Sequence, residues 1–381
     1  MDAAKGLPGA DAFPALEGMI HLNHAGVAPI CGAAARALEA YAAESTSRAY
    51  TQTGWYRKVN ELRGMLASLI GARGGHEIAM MPNTSTGLAT VARGLDWRRG
   101  DSVVITDVEY PANRYPWEDL QRFGVKLIEV KQGRDGRVAA EDVCAAVEDR
   151  TRVVAISHVQ YASGYRIDLV PIAETVHRAG GYLCVDGIQS VGMLPVDVRA
   201  MGVDFLAADG HKWLLGPEGA GFLYVKEDLC EVLHPPVVGW LNMVNAEDYG
   251  RYEYRFQKDA RRFEPGSYNI PGLLALRGAV GMLMEVGIEE VWRRVEALTG
   301  FAETGLRERG FRVFSPRRLA GERSGIVMFE PKEGQEAGKV VRGLAERGMH
   351  LAVRSGRLRM SPHFYNTEGQ IEAVLGALAE A

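Results

Sequence analysis

A lysine between aromatic neighbours, Lys212, is the strongest candidate for chemistry in this sequence. It lies in the segment DGHKW, directly after an apolar run that begins at Phe205. A lysine in partly apolar surroundings has a lowered pKa, so its neutral amine can attack an aldehyde and later move protons. A His-Lys pair is also common in solvated loops. Its place at the end of a predicted strand favours the chemical interpretation here.

A carboxylate ends the preceding predicted strand. Asp186 follows the apolar run from Tyr182 to Val185, one βαβ unit before Lys212. At the carboxyl edge of a sheet such a carboxylate can hold a pyridine nitrogen protonated through a charge-assisted hydrogen bond. An amine and a carboxylate on adjoining strand ends therefore indicate a site for an aromatic aldehyde.

Two more strand ends carry polar or aromatic groups of use in such a site. The run PNTSTG at residues 82–87 precedes a helical stretch, and its free amides and hydroxyls suit a phosphate dianion. Hydroxyl-rich helix caps are also common without a ligand. Tyr110 follows the strand ending at Thr106, where its ring can lie flat on a planar group or pack as an ordinary loop residue. Neither motif decides the matter alone.

The elements that carry these residues alternate between strands and helices. Segments between the apolar runs, such as Ala139–Glu148 and Ile172–Ala179, have helical spacing. The predicted strands are Ser102–Thr106, Lys126–Val130, Val153–Ser157, Tyr182–Val185, Phe205–Ala207 and Gly221–Val225. This alternation predicts an α/β fold with a largely parallel central sheet, whose ligands gather outside the carboxyl ends of the strands.

The pattern changes after residue 270. Long helices are predicted at 273–285 and 289–307, followed by short strands at 311–314 and 325–329 and a closing helix at 367–378. The sequence therefore predicts a large domain, 21–270, and a smaller α+β domain, 271–381. The segment 1–20 is expected to pack near the smaller domain.

Four strings carry a resemblance to a known family. VDGIQSVG, ADGHKWLLGPEGAGFLYV, RFEPGSYN and RMSPHFYNTEGQIEAVLGAL occur in the order and spacing of class V aminotransferase-fold enzymes. From about His21 to its end, the chain resembles that branch of fold-type I pyridoxal-phosphate proteins, which includes cysteine desulfurases, kynureninases and isopenicillin N epimerase-like proteins. The resemblance implies a mostly parallel seven-stranded sheet sandwiched by helices, with a small α+β C-terminal domain.

The resemblance also implies how pyridoxal 5'-phosphate is bound. Lys212 would be the catalytic residue and hold the cofactor as an imine, Asp186 would pair with the pyridine nitrogen, and Gln189 would contact the phenolic oxygen. Ser267 would reach the phosphate of the neighbouring subunit, which implies a homodimer. The implied cofactor-binding residues are Thr84, Ser85, Tyr110, Asp186, Gln189, His211, Lys212 and Ser267.

A second implied group binds an amino-acid substrate. Arg359 matches the arginine that grips the substrate carboxylate, since a guanidinium can bind both oxygens at once. Arg354 matches a second arginine near it. Tyr161 and His24 would lie close to the substrate, although a loop hydrogen bond is an alternative role for His24.

Three departures from the desulfurase pattern bear on the reaction. The loop after Arg354 is too short for the catalytic cysteine of a desulfurase. Asp209 stands where many relatives have a phosphate-binding serine, so it must point away from the phosphate or contact His211. Tyr161 replaces the asparagine of desulfurases. Together these departures favour chemistry other than sulfur mobilisation.

The predicted function is transamination or β-elimination (a lyase reaction) on a small α-amino acid. Epimerisation of the isopenicillin N epimerase type and a cysteine desulfurase or selenocysteine lyase activity remain alternatives. A catalytically silent binding protein would be expected to lose Lys212, Asp186 or Arg359, yet all three are present. A dinucleotide-dependent oxidoreductase is disfavoured because no GxGxxG motif follows the first strand.

Composition and charge disfavour several classes of binding partner. A formal net charge of -4 provides neither a basic face for nucleic acid nor a polybasic membrane anchor. The four cysteines form no zinc-binding spacing, so we expect no metal site, and Cys31 is expected to be a structural thiol. With no signal peptide visible, a reduced cytoplasmic setting is predicted.

Overall fold

A computed structural model describes residues 12–14, 17–49 and 51–380 of the chain. Its strands are β1 Ile20–His21, β2 Ile78–Met81, β3 Ser102–Thr106, β4 Lys126–Val130, β5 Thr151–Ser157, β6 Tyr182–Asp186, β7 Phe205–Asp209, β8 Gly221–Val225, β9 Val327–Phe329, β10 Met349–His350, β11 Ala352–Arg354 and β12 Arg357–Met360. Its α-helices are α1 Gly32–Arg48, α2 Trp55–Leu69, α3 Thr84–Gly94, α4 Tyr115–Glu118, α5 Ala140–Ala145, α6 Val170–Arg178, α7 Ile270–Val286, α8 Ile288–Glu308, α9 Ala337–Glu346 and α10 Glu368–Glu380.

A seven-stranded sheet with the order β2-β8-β7-β6-β5-β3-β4 forms the centre of the fold. Strands β3 to β7 run parallel to their neighbours within this group, while β8 is antiparallel to both β2 and β7. Every residue of β2, β3, β7 and β8 is buried, as expected for strands covered by helices on both faces. The predicted α/β fold with a mostly parallel seven-stranded sheet is confirmed.

The carboxyl-terminal part has its own small sheet. Strands β11, β12 and β9 form an antiparallel sheet in that order, and β1 pairs in parallel with β10. A buried apolar cluster joins this sheet to α8, α9 and α10, and includes Leu22 from the amino-terminal segment. Helix α7 instead packs on α1 and α2. The first described elements of the chain thus lie against the last ones.

Element boundaries agree closely with the sequence prediction, with one exception. The segment 311–314 was predicted to be a strand, but Val313 makes only an isolated bridge to Phe329. Helix α7 begins earlier than predicted because Asn269 accepts a hydrogen bond from the Gly272 amide, which caps the helix ahead of Pro271.

Helices α7 and α8 bear on the question of membrane spans. Over the described ranges, no single helix is long and apolar enough to span a bilayer. Taken together, α7 and α8 have the length and apolar composition of a span, but they are bent by 80° where they join.

Candidate active site

A cavity of about 530 Å³ opens at the carboxyl edge of the central sheet. Ten of the twelve residues predicted for the site line it. They are Thr84, Ser85, Tyr110, Tyr161, Asp186, Gln189, His211, Lys212, Arg354 and Arg359. Strands β6, β7 and β12 and the start of α3 thus bring together residues that lie as much as 275 positions apart, from Thr84 to Arg359. Of the twelve, His24 and Ser267 do not line it.

Lys212 reaches the cavity from the turn that follows β7. Only 8% of the residue is exposed. Burial lowers the pKa of its ammonium to about 8, although the carboxylates of Asp186 and Asp209 raise it in part. Its Nζ lies 5.5 Å from the centre of the Tyr110 ring. At pH 7 about a tenth of this amine is therefore uncharged and nucleophilic.

The turn that presents Lys212 requires glycine. A Cβ at Gly210 would lie 2.9 Å from the Pro217 carbonyl oxygen, and one at Gly221 would lie 2.5 Å from the Asp209 Cβ. Both distances are below ordinary van der Waals contact. Larger side chains at these two positions would therefore crowd the segment that leads to and from Lys212.

Asp186 lies at the end of β6 and is almost completely buried. Its Oδ1 accepts a hydrogen bond of 3.0 Å from the Ile188 amide. Burial raises its pKa to about 7, and the amide hydrogen bond and the Lys212 charge oppose that rise. Among the described residues, no cation lies within 4 Å of this carboxylate. A buried carboxylate without such a partner suits a protonated ring nitrogen, so the residues fit pyridoxal phosphate.

The side-chain amide of Gln189 is held in one orientation. Its Oε1 accepts a hydrogen bond of 2.8 Å from the Trp213 indole, and its Nε2 donates one of 3.0 Å to the Ala25 carbonyl. Because an indole N–H can only donate, the oxygen and nitrogen of this amide cannot exchange places without losing both bonds. The second hydrogen on Nε2 remains available for a phenolate in the cavity.

The candidate phosphate cradle lies at the start of α3. Asn83 caps the helix by accepting a hydrogen bond of 2.8 Å from the Thr86 amide. Asp209 accepts bonds of 3.0 and 3.2 Å from the Thr84 amide and hydroxyl and pairs with His211. Burial opposes ionisation of Asp209, but the hydrogen bonds from His211 and Thr84 outweigh it and lower its pKa. Asp209 thus contacts His211, one of the two arrangements anticipated from the sequence.

Tyr110 and Tyr161 form the aromatic wall of the cavity, with ring centres 5.2 Å apart in an edge-to-face arrangement. Behind them lies the buried carboxylate of Glu109, which sequence reasoning missed. It accepts hydrogen bonds from Thr106, Asn113, the backbone and hydroxyl of Ser157, and Gln160. Glu109 therefore joins the loops that carry the two tyrosines. Its position directly before Tyr110 was the available signal.

Arg359 is 1% exposed, yet both of its hydrogen-bonded acceptors are neutral. Its Nη1 donates to the Tyr161 carbonyl and its Nη2 to the Asn23 side chain, each at 3.2 Å. Burial and the nearby Arg354 lower its pKa to about 9. A buried guanidinium with no carboxylate within 4 Å in the described part of the chain is ready to receive an anion. Asn23 was missed, although the sequence placed its segment near the substrate.

His24 and Ser267 lie outside the cavity lining. His24 is fully buried, where its Nδ1 is 2.9 Å from the Ser361 carbonyl oxygen and its Nε2 contacts the Tyr365 hydroxyl. Burial lowers its pKa well below the usual value. This places His24 behind the substrate region, in the hydrogen-bonded role given above as the alternative. Ser267 is exposed on the surface, and its role toward a second subunit stays a prediction.

Outside the cavity, three potential metal ligands lie close together, although the sequence predicts no metal site. His76, Glu77 and Glu227 lie close enough together to share a cation. However, the Glu227 carboxylate is 3.1 Å from the Arg73 guanidinium, which already balances its charge. Nothing else in the described chain points to an ion there.

Comparison with known proteins agrees with this geometry. The family model described as aminotransferase class-V matches residues 21–374. The chain belongs to the aminotransferase class-V family. An uncharacterized aminotransferase of Bacillus subtilis (strain 168) is 30% identical, over 96% of this chain and 95% of that protein. A probable cysteine desulfurase of Methanothermobacter thermautotrophicus is 31% identical, over 97% and 96%.

Solved structures of similar proteins show the same fold. A mutant of C-DES with glycine covalently linked to its pyridoxal-phosphate cofactor has a TM-score of 0.91 and 25% identity, over 98% of this chain and 99% of that one. C-DES, a cystine C–S lyase, in complex with its product cysteine persulfide gives a TM-score of 0.89 and 25% identity, over 97% and 99%. The predicted family, fold and pyridoxal phosphate cofactor are confirmed, and the chain is a pyridoxal-phosphate-dependent enzyme.

Uptake of the cofactor should depend on pH. Because burial lowers the Lys212 pKa to about 8, the fraction of protein with a neutral Lys212 amine increases as pH rises toward that value. We expect the rate at which cofactor-free protein regains its visible absorption with pyridoxal phosphate to rise about tenfold per pH unit below 8, then to level off. Stopped-flow absorbance from pH 6 to 10 measures this rate. A rise that continues to pH 10 would contradict the lowered pKa.

Arg359→Ala should weaken substrate binding more than it slows turnover. The variant removes the buried guanidinium proposed to bind the substrate carboxylate, so KM should rise about 100-fold, since a buried charge-assisted pair contributes several kcal/mol. Steady-state kinetics and circular dichroism test the variant together. Arg312→Ala is the matched control, because Arg312 is exposed and pairs with Glu330 away from the cavity. A near-normal KM in a folded Arg359 variant would show that Arg359 does not bind the substrate carboxylate.

Proposed function

We propose that this class-V enzyme cleaves a bond at the β-carbon of a small α-amino acid, with transamination as the second candidate reaction. The observation that carries the proposal is one cavity lined by Lys212, Asp186 and Arg359. An amine, a buried carboxylate and an unpaired buried guanidinium are the groups needed to bond a carbonyl cofactor, protonate its ring and grip a substrate carboxylate. The similar structure of a cystine C–S lyase and the relative named a probable cysteine desulfurase support a lyase reaction.

Each residue has a distinct part in this mechanism. Pyridoxal phosphate, when bound, supplies an electron sink for the electrons left by a bond broken at the α-carbon. Arg359 orients the amino acid through its carboxylate. Lys212 Nζ, as a neutral amine, would take the α-proton and deliver it to a departing β-group. Asp186 would hold the ring nitrogen protonated, while Gln189 would donate a hydrogen bond to the phenolic oxygen.

The hairpin between β11 and β12 disfavours cysteine desulfurase chemistry. Arg354 and Arg357 are paired across a two-residue turn of Ser355 and Gly356, both with positive φ. A turn of this kind is the shortest hairpin connection and cannot extend a thiol into the cavity. The described cysteines also do not line the cavity, and Cys31 has its pKa raised by burial. Desulfurase activity therefore stays an alternative that the proposal ranks below elimination.

The proposal includes a homodimer. Large apolar side chains are exposed between residues 237 and 254, close in sequence to Ser267. They are Val237, Val238, Trp240, Tyr249, Tyr252 and Tyr254. Exposed aromatic side chains of this kind are characteristic of protein interfaces. A second subunit seated there would cover them and bring Ser267 toward a neighbouring phosphate cradle. Sedimentation velocity of the purified protein tests this part.

Two further predictions belong to the proposal. A separate small domain is supported by the apolar cluster of the carboxyl-terminal part, which begins at Leu298, whereas α7 packs on α1 and α2, so the boundary at residues 270 and 271 stays a prediction. A cytoplasmic location is supported by the four cysteines, all of which are free thiols. Limited proteolysis and fractionation of the source cells would check them.

One experiment tests the proposed function. The purified protein with pyridoxal phosphate should be yellow, and borohydride should fix the cofactor to the peptide that contains Lys212, as read by mass spectrometry. A panel of amino acids is then assayed for pyruvate, ammonia, sulfide, alanine and keto acids. Pyruvate with ammonia supports elimination, and keto acid without ammonia supports transamination. A colourless protein, or sulfide released together with alanine, would overturn the proposal.

A further inference from the structure

A carboxylate, Asp209, lies beside the candidate phosphate cradle, where an anion has to bind. Only 4% of Asp209 is exposed, so water screens its charge little. A phosphate dianion next to a buried carboxylate without a positive partner would be repelled. The contacts of Asp209 therefore decide which groups of the cradle can hold a phosphate.

The hydrogen-bond donors at the start of α3 are mostly engaged. The Thr84 amide and hydroxyl both donate to Asp209 Oδ2, at 3.0 and 3.2 Å. The Thr86 amide and hydroxyl both donate to Asn83 Oδ1, at 2.8 and 3.0 Å. Of the first three residues of α3, only Ser85 has an amide and a hydroxyl that make no hydrogen bond in the described part of the chain. Because the oxygens of a phosphate dianion only accept, Ser85 alone of these three remains free to donate to it.

His211 supplies a further donor, and Asp209 fixes the orientation of its ring. The His211 Nδ1 forms an ion pair with Asp209 Oδ1. An ionised carboxylate only accepts, so Nδ1 carries a hydrogen and the ring cannot turn over without losing this contact. His211 lines the cavity, and among the described residues nothing hydrogen-bonds to its Nε2. Donation from Nε2 to a phosphate requires a hydrogen there too, which makes the ring an imidazolium.

This ion pair also removes the repulsion between carboxylate and phosphate. An imidazolium balances the charge of Asp209, and its second N–H can form a charge-assisted hydrogen bond with the phosphate. Thr84, whose two donors face Asp209, is left to orient that carboxylate. The sequence resemblance implies that Thr84 binds the phosphate, whereas these contacts point to a different role for it.

We propose that Asp209 is a positioning residue that moves phosphate binding from Thr84 to His211. His211, held by Asp209, and Ser85 donate to the phosphate of the cofactor, while Thr84 donates to Asp209. The inference concerns the cofactor and does not depend on which reaction the enzyme catalyses.

The test measures how strongly the cofactor-free protein prefers pyridoxal 5'-phosphate to pyridoxal. Both aldehydes react with the same amine, so the ratio of their dissociation constants, read from visible absorption, isolates the phosphate contacts. Asp209→Asn should reduce this ratio about tenfold, because one amide oxygen cannot accept from all three donors that face the carboxylate. Thr84→Val keeps the backbone amide and loses only the hydroxyl, so the ratio should fall by less than about threefold.

Asp204→Asn is the matched control for the Asp209 variant. Asp204 is also buried and lies 2.6 Å from a histidine, His177, directly before β7, but it does not line the cavity. The ratio for this variant should stay that of the parent. Near-ultraviolet circular dichroism shows whether each variant is folded. If Asp209→Asn does not fold, the comparison of Thr84→Val with His211→Gln decides the matter.

A double variant distinguishes positioning of His211 from a direct effect on the phosphate. In His211→Gln the ratio should fall at least as far as in Asp209→Asn. The double variant should be no worse than His211→Gln, because Asp209 then has no ring to position. Additive losses would overturn the inference. An unchanged or higher ratio in Asp209→Asn, or a loss as large in Thr84→Val as in His211→Gln, would also overturn it.

Discussion

Replacing Lys212 with alanine is expected to reduce kcat by on the order of 10³-fold or more while the protein stays folded. The variant loses both the covalent attachment of the cofactor and the base that moves the α-proton, and each contributes a large factor to the rate. Steady-state assays with the amino acid found active in the product screen measure the loss. Absorption spectra should show that added pyridoxal phosphate binds without becoming fixed by borohydride.

Lys226→Ala provides the control for this variant. Lys226 is a partly exposed lysine directly after β8, and its Nζ lies 3.7 Å from Asp204, outside the cavity lining. Its loss should leave both kcat and borohydride fixation nearly unchanged. If the Lys212 variant kept a tenth of the parent activity, the assignment of the reacting amine would be wrong. An unchanged sedimentation coefficient would show that assembly survives the substitution.

Asp186→Asn is expected to lower kcat by about 10² to 10³-fold with little change in KM. Asparagine has nearly the same shape, but a neutral amide cannot hold the ring nitrogen protonated, so the electron-accepting capacity of the cofactor falls. Kinetics and the absorption spectrum of the holoenzyme measure the change. Asp168→Asn is the matched control, because Asp168 is exposed just before α6 and asparagine can still accept the hydrogen bond from the Val170 amide. Full activity of the Asp186 variant would contradict its pairing with the ring.

Asp186→Asn should also change how the stability of the cofactor-free protein depends on pH. Burial raises the Asp186 pKa from 3.8 to about 7, so the folded state binds a proton more tightly than the unfolded chain does. This contribution to stability is complete below pH 3.8 and is lost as pH rises through about 7. Thermal unfolding of the cofactor-free parent should show that loss, and Asp186→Asn should lack it.

That Asp186, Lys212, Thr84 and Ser85 line one cavity could be predicted from the sequence, because the signals for it are local. Asp186 and Lys212 each follow a buried strand, and parallel strands bring their carboxyl ends to one edge whatever lies between them. Thr84 and Ser85 start a helix capped by Asn83, which is also a short-range pattern. These positions depend on a few neighbouring residues and on the right-handed connections of the sheet.

The part of the cavity proposed to bind the substrate is formed by contacts between residues far apart in the sequence, which no local pattern indicates. Asn23 meets Arg359 across 336 positions, and His24 is buried against the Ser361 carbonyl, as the parallel bridge between residues 23 and 361 requires. The resemblance suggested that this segment is near the substrate but not which side chain faces the cavity. Alternation along an extended segment decides that, since Asn23 points inward and His24 away. Glu109 was hidden for a similar reason, because its hydrogen-bond donors come from separate loops.

The pairing of Asn23 with Arg359 has a consequence for how the enzyme matures during translation. The groups proposed to bind the cofactor within one subunit lie between Thr84 and Lys212, so ribosomes complete them well before the last strands emerge. Strand β12, which supplies Arg359, is made only after all of these groups, so Asn23 gains this partner late. A nascent chain can thus acquire its coenzyme pocket first and gain the ability to select an amino acid only after β12 has been made.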